Sequence, residues 1–346
     1  MPRKFSITSN KPLFFNWGWL FAISLAFHLS HNATAENWIQ KADMPIPRLF
    51  FSVSVINNQL YTIGGMLAEP VDFVDAYDPD EDKWVQKASL PAARAGVVTC
   101  VADGKLYAIG GWSGQSPALG SVEEYDPVTD TWTQKADMPT PRSFFTGTAV
   151  DGKIYAIGGV AQNVGPILPT VEEYDPVTDT WTQKADMPTP ISGMAAASID
   201  GKIYLIGGTP AVQGPVLETV QEYDPATDTW TQKADMPTPR TALAVGVVAG
   251  RIYAIGGTAS VQGPGLTNVE IYDPDSDTWT ETVEMPTGRV FLGVGTIANK
   301  IYAVGGVAEG LGPAILPTVE QFTPSGLSVA VLDRFLTIWG EIKKTN

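Results

Sequence analysis

The stretch VEEYDPVTDTWTQKADMPTP, residues 122–141, recurs without a change at residues 171–190. Twenty identical residues mark the duplication of one supersecondary unit, and the chain around them carries the same period. Gly-Gly pairs begin at Gly64, Gly110, Gly158, Gly207, Gly256 and Gly305. Tryptophans stand at Trp38, Trp84, Trp132, Trp181, Trp230 and Trp279. Both series step by 46, 48, 49, 49 and 49 residues, the signature of a repeat architecture.

One unit, residues 142–188, shows what is repeated. Residues 143–150 are apolar and small and read as a buried strand. Asp151-Gly152 follows, a hairpin signal because both positions favour positive φ. Residues 153–157 form a second strand ending in Gly158-Gly159. A longer loop leads to a third strand at 171–174, Asp175-Pro176 turns the chain, and residues 181–184 form a fourth. Four antiparallel strands in one repeat make a propeller blade. The paired Asp of the recurring turn fits turn chemistry and lacks the spacing of an EF-hand calcium loop.

The chain also indicates how the ring shuts. The last unit has strands at 291–297, 300–304 and 319–322, then runs into Thr323-Pro324-Ser325 with no following Trp. The missing strand lies at the other end: NWIQKADMP at 37–45 matches TWTQKADMP at 180–188. The N-terminal strand is expected to complete the sixth blade, which closes the ring without an inter-blade gap. The fold class is all-β, a six-bladed propeller over residues 36–324.

The succession of YAIGG, YDP, TW and MPxxR resembles the kelch repeat, over nearly all of residues 36–324. That resemblance implies the propeller. It leaves function open, because kelch propellers include enzymes, adaptor domains and surface-binding proteins.

The first 35 residues differ from the rest. Arg3, Lys4 and Lys11 precede an apolar run over 13–29, and Ala33-Thr34-Ala35 precede Glu36. This is the pattern of a secretory signal peptide; an uncleaved anchor is the alternative, disfavoured by a run short for a membrane span. Both histidines, His28 and His31, lie in this leader. A cleaved chain lacks the commonest general base and metal ligand. The leader carries three basic residues and no acid, so cleavage takes the formal charge from −15 to −18, 19 basic against 37 acidic. So acidic a chain is a poor candidate for nucleic acid or anionic lipid. Cys100 is the single cysteine, read as a core residue. Residues 325–346 form a tail, with Leu327, Val331, Phe335, Trp339 and Ile342 at helical spacing; a short amphipathic helix and an extended stretch at 328–332 are both open.

Candidate binding residues lie where one blade's last strand leads to the next blade's first. Arg48, Arg94, Arg142, Arg240 and Arg289 stand there, with Ile191 in the fourth unit. Propeller geometry is expected to bring them round the channel mouth, a partial anion-binding ring. The resemblance implies the same, since similar arginines contact ligand carboxylates in kelch domains that bind acidic peptides. The alternative is that each arginine braces its own loop through the acid five residues earlier: Asp43, Asp137, Asp235 or Glu284. Arg94 has Ser89 there, so it is expected to be the least neutralised, and Arg94→Ala to weaken ligand while leaving folding intact. The loops after Gly-Gly, near 66–72, 112–120, 160–169, 209–218, 258–267 and 307–317, share that face and carry Trp112, Gln115, Gln162, Asn163, Gln213 and Gln262.

Two functions are weighed. The first is a non-catalytic secreted or periplasmic propeller binding a protein or glycan on the Arg-bearing face. The second is a sugar mutarotase, since the layout is similar to that of periplasmic N-acetylneuraminate mutarotases. No cofactor, metal, nucleic acid or membrane insertion after cleavage is expected, and the chain is read as a monomer.

Overall fold

The computed structural model describes residues 36–325, apart from 115–116, 162–164, 212–213 and 309–314. The leader, the tail beyond 325 and Gln115, Gln162, Asn163 and Gln213 lie outside the described residues. Among those described, twenty-four strands form six four-stranded antiparallel sheets. Blade 1 pairs β2 (Ser52–Ile56), β3 (Gln59–Ile63), β4 (Val74–Asp78) and β5 (Lys83–Gln86) in that order. Blades 2 to 5 repeat the plan. In the sixth sheet β1 (Asn37–Lys41) pairs with β24 (Val319–Thr323), followed by β23 (Lys300–Val304) and β22 (Gly293–Ile297). Trp38 stands opposite Phe322, the rings stacked 5.0 Å apart. The ring is closed by the N-terminal strand.

The hairpins follow from their residues. Asp151 and Gly152 take φ of 50° and 77°, the left-handed pair that a two-residue turn requires. One difference from the sequence reading is physical. The first strand of blade 3 begins at Thr146, because Phe144 adopts φ 53° and breaks the extended backbone. Phe291, φ 54°, likewise delays β22 to Gly293.

The Gly-Gly pairs join blade to blade. Gly64 has φ 61°, and a Cβ on it would lie 2.6 Å from Arg94 O of the next blade. Gly65 N donates to that same carbonyl at 2.8 Å. Only glycine fits such an approach.

Aromatic residues fill the wedges between blades. Tyr125 and Trp132 of blade 2 pack into a cluster with Tyr61, Ile63, Val74 and Ala76 of blade 1. Each such buried side chain contributes about 2–3 kcal/mol of transfer free energy. The polar ends are satisfied across the same seam. Tyr125 Oη donates to Asp130 Oδ1 at 2.6 Å, Ala88 N of blade 1 donates to the same oxygen at 2.9 Å, and Trp132 Nε1 donates to Ala88 O at 2.9 Å. The other Asp of the turn, Asp126, accepts from Val128 N. Both carboxylates of the recurring motif are thus turn and seam residues. Cys100 is buried, and desolvation pushes its thiol up to about 12.

Candidate functional site

The blades present two ends. The β2–β3 type hairpins and the Tyr-Asp-Pro turns lie at one, the turn face. The inter-blade linkers and the loops after Gly-Gly lie at the other, the loop face. The five candidate arginines enter from the loop face but do not stay there.

Every one of them is fully buried, with 0% exposure. Arg94 Nη2 donates to Glu123 Oε1 at 2.7 Å, and Nη1 to Gly110 O at 3.1 Å. Arg48 meets Asp75 at 2.8 Å, Arg240 meets Glu270 at 2.6 Å, Arg289 meets Glu320 at 2.9 Å, and Arg142 pairs with Glu172. Each guanidinium crosses its own blade beneath the Gly-Gly turn and binds the acid of the third strand. Burial is the largest influence on Arg142 and lowers it below the usual arginine range, with Glu172 acting in the opposite direction. The expected ring of arginines round the channel mouth is therefore corrected. The bracing alternative also needs correction, because the partner is the third-strand acid and not the acid five residues back. Arg94 is paired like the others.

One signal in the chain marks this pairing. The third-strand series runs Asp75, Glu123, Glu172, Gln221, Glu270, Glu320. The blade with Ile191 in place of arginine is the blade with Gln221 in place of the acid. Gln221 is buried and its Oε1 has no hydrogen-bond partner.

The channel mouth is built instead from the residue two places after each arginine, and after Ile191 in the fourth unit. Phe50, Gly96, Phe144, Gly193, Ala242 and Phe291 all take φ between 53° and 64°. A left-handed Phe is costly, about 1–2 kcal/mol, and it occurs here three times in equivalent positions. Backbone bonds link the six into two arcs. Gly96 N donates to Phe50 O (2.8 Å) and Phe144 N to Gly96 O (3.2 Å). Ala242 N donates to Gly193 O (2.8 Å) and Phe291 N to Ala242 O (3.0 Å). No such bond joins Phe144 to Gly193 or Phe291 to Phe50, so the backbone bonding of the collar is interrupted at two opposite places. Phe144 lies over Gly96, where a Cβ would touch its ring at 3.1 Å, and meets Phe50 edge-on at 5.1 Å. Phe50 meets Phe291 at 4.8 Å.

These six residues and the ring below them enclose a space of about 190 Å³. Among the described residues, no charged side chain lines this space or the upper channel. Lower down, Ser52, Ser54 and Thr99 share a hydroxyl ladder with contacts of 2.7 and 2.8 Å. Trp112, the remaining candidate, is half-buried on the loop of blade 2, its backbone paired with Ala95 at 2.8 and 2.9 Å. Its Nε1 is buried without a hydrogen-bond partner, as is Oγ of Ser143, the residue before Phe144. A buried orphan donor is uncommon in a native fold and asks for a reason. Among the described residues, no group of three His, Cys, Asp or Glu is placed to hold a metal.

The KLHDC2/KLHL20/DRC7 kelch-repeats domain matches residues 20–159 and 165–306, and the kelch motif matches residues 141–188. No curated protein matches the chain. Among solved structures, that of YjhT is similar with a TM-score of 0.70 at 18% identity, over 80% of this chain and 95% of that one. That likeness is one of fold.

Proposed function

The chain belongs to the kelch-repeat family, and from that premise we propose that it is a secreted or periplasmic, non-catalytic binding propeller whose loop face takes a glycan or protein ligand at the channel mouth. The observation that carries this reading is the collar: three left-handed Phe rings held at one aperture, with no charged side chain among the described residues lining it. Strained residues of this kind gather at functional sites. The rings offer apolar faces to a sugar or an apolar side chain. A mutarotase is the alternative; it requires an acid/base group beside the sugar, and the carboxylates of the described loops, Glu69, Asp72 and Glu218, do not line the mouth.

Proton NMR of the protein with reducing sugars, N-acetylneuraminate among them, tests both. The expected result is α/β anomer exchange at the protein-free rate. Shifts of the Gly96 and Gly193 amides on adding a sugar are expected to be lost in Phe144→Ser. Accelerated exchange would overturn the non-catalytic reading. Equal shifts of these mouth amides by ligand, whether sugar or protein, in native protein and Phe144→Ser would remove the mouth as the site.

A further inference from the structure

The loops behind the Gly-Gly pairs are tied to one another unevenly. In blade 5, Gly265 N donates to Ala308 O of blade 6 at 2.8 Å; in blade 2, Ala118 N donates to Ala161 O of blade 3 at 3.3 Å. Each donor precedes a leucine that folds back on its own Gly-Gly: Leu266 N to Gly257 O, Leu119 N to Gly111 O. The same place in blade 4 is Val216, before Leu217, whose amide bonds Gly208 O. The matching acceptor in blade 5 is Ala259, which follows Thr258 as Ala308 follows Val307. Among the described residues Val216 and Ala259 are not bonded; nor are Ile167 and Pro210 of blades 3 and 4 or Ile315 and Leu67 of blades 6 and 1, and blade 1 carries Pro70, which has no N–H, at this place. A groove of about 380 Å³ lies between residues 214–216 and 259–262 instead.

Side-chain size accounts for the series. A Cβ on Gly265 would collide with the backbone of Arg289, and one on Gly288 with Gly265 O, so these two glycines let the blade 5 loop lie down on blade 6. Ala118 with Pro141 gives the longer bond. With Val216 and Pro239 in these places the bond is absent and the groove lies there.

We propose that this groove is a site for a neutral sugar bearing one acylamino group. The ligand's amide carbonyl accepts from Val216 N–H, and its N–H donates to Ala259 O. The amide thereby supplies, across blades 4 and 5, the link that blades 5 and 6 make directly. One donor and one acceptor match one amide, whereas an extended peptide is held by a row of backbone bonds along a strand edge. Pro215, Val216 and Val261 give apolar contact, and Ser260 and Gln262 face the hydroxyls. None of the described lining residues is charged, which suits a neutral ring. The volume falls within the roughly 300–1,000 Å³ of small-molecule sites. The inference rests on the proposed function only in assigning ligands to the loop face.

The test is a titration of the ¹⁵N-labelled protein with N-acetylglucosamine, glucose and N-acetylalanine methylamide. N-acetylglucosamine is expected to shift the Val216 and Ser260 amides saturably, with glucose about thirtyfold weaker, the worth of the amide's two hydrogen bonds. Val216→Gly, which lets the loop close on Ala259, is expected to weaken binding by about the same factor, while Phe144→Ser leaves it unchanged. A barren mouth would therefore not remove the groove. Equal response to glucose, tighter binding of the peptide amide than of the sugar, or unaltered binding by Val216→Gly would overturn the proposal.

Discussion

At the scale of the residue, the arginines exchange a recognition role for a structural one. Each brings a charge into a blade and meets a carboxylate there. Removing one partner of such a buried pair leaves the other unpaired and costs about 3–5 kcal/mol, whereas replacing both is often close to neutral. Blade 4 already carries the replacement, Ile191 with Gln221. Arg94→Ile is therefore expected to destabilise the protein by about 3–5 kcal/mol, against the sequence expectation that Arg94 is dispensable for folding. Adding Glu123→Gln is expected to restore at least half of the loss. Urea unfolding of the single and double variants measures both; a stable Arg94→Ile would contradict the buried pair. The coupled gap at Ile191 and Gln221 was legible in the chain. The exposure of Phe144 was not: a Phe in an apolar run reads as core, and its left-handed backbone is imposed by the collar.

Among the elements, the seams between blades rest on the Tyr-Asp-Pro turns. Asp130, Asp179, Asp228 and Asp277 are each held below the usual carboxylate range, first by the O–H of the tyrosine five residues earlier. Asp82 is held down first by the Ala42 amide, then by Tyr77. A carboxyl whose folded pKa is depressed stabilises the fold above its ordinary value of about 4, and that stabilisation is lost as pH falls through the folded values. Thermal midpoints are expected to be flat from pH 7 to 5 and to fall below about pH 4. Tyr174→Phe, which removes a bond to Asp179, is expected to shallow that fall. An acid limb of the same slope in the variant would show that the turn aspartates do not set it. The turns were readable as turns from Asp and Pro alone; that the second Asp also reaches back to the preceding blade required the ring.

For the whole molecule, the closure depends on the first residue of the expected mature chain. Glu36 accepts from Thr282 Oγ1 on blade 5 and from Ser325 Oγ, just past β24, at 2.7 Å. Burial, the largest influence, raises its pKa, but the bonds from Thr282 and Ser325 prevail and hold it low. If the leader is removed after Ala35, N-terminal sequencing of the exported protein reads Glu36-Asn37-Trp38; an exported chain that keeps residues 1–35 would refute cleavage and select the uncleaved anchor. Glu36→Gln is expected to lower stability by about 1 kcal/mol, with a smaller loss than wild type on acidification.

The chain by itself determined the number of blades, their four-strand plan, the Asp-Gly hairpins and the closure of β24 by β1. These rest on periodicity and on turn residues, which act over a few positions and need no knowledge of distant neighbours. Only the tertiary structure decided that the arginines turn inward, that left-handed phenylalanines crown the channel and that a groove is left between the loops of blades 4 and 5. A guanidinium finds its carboxylate roughly 27–31 residues away only after the strands have paired, and whether a side chain lines a mouth or fills a core depends on what the neighbouring blades leave uncovered.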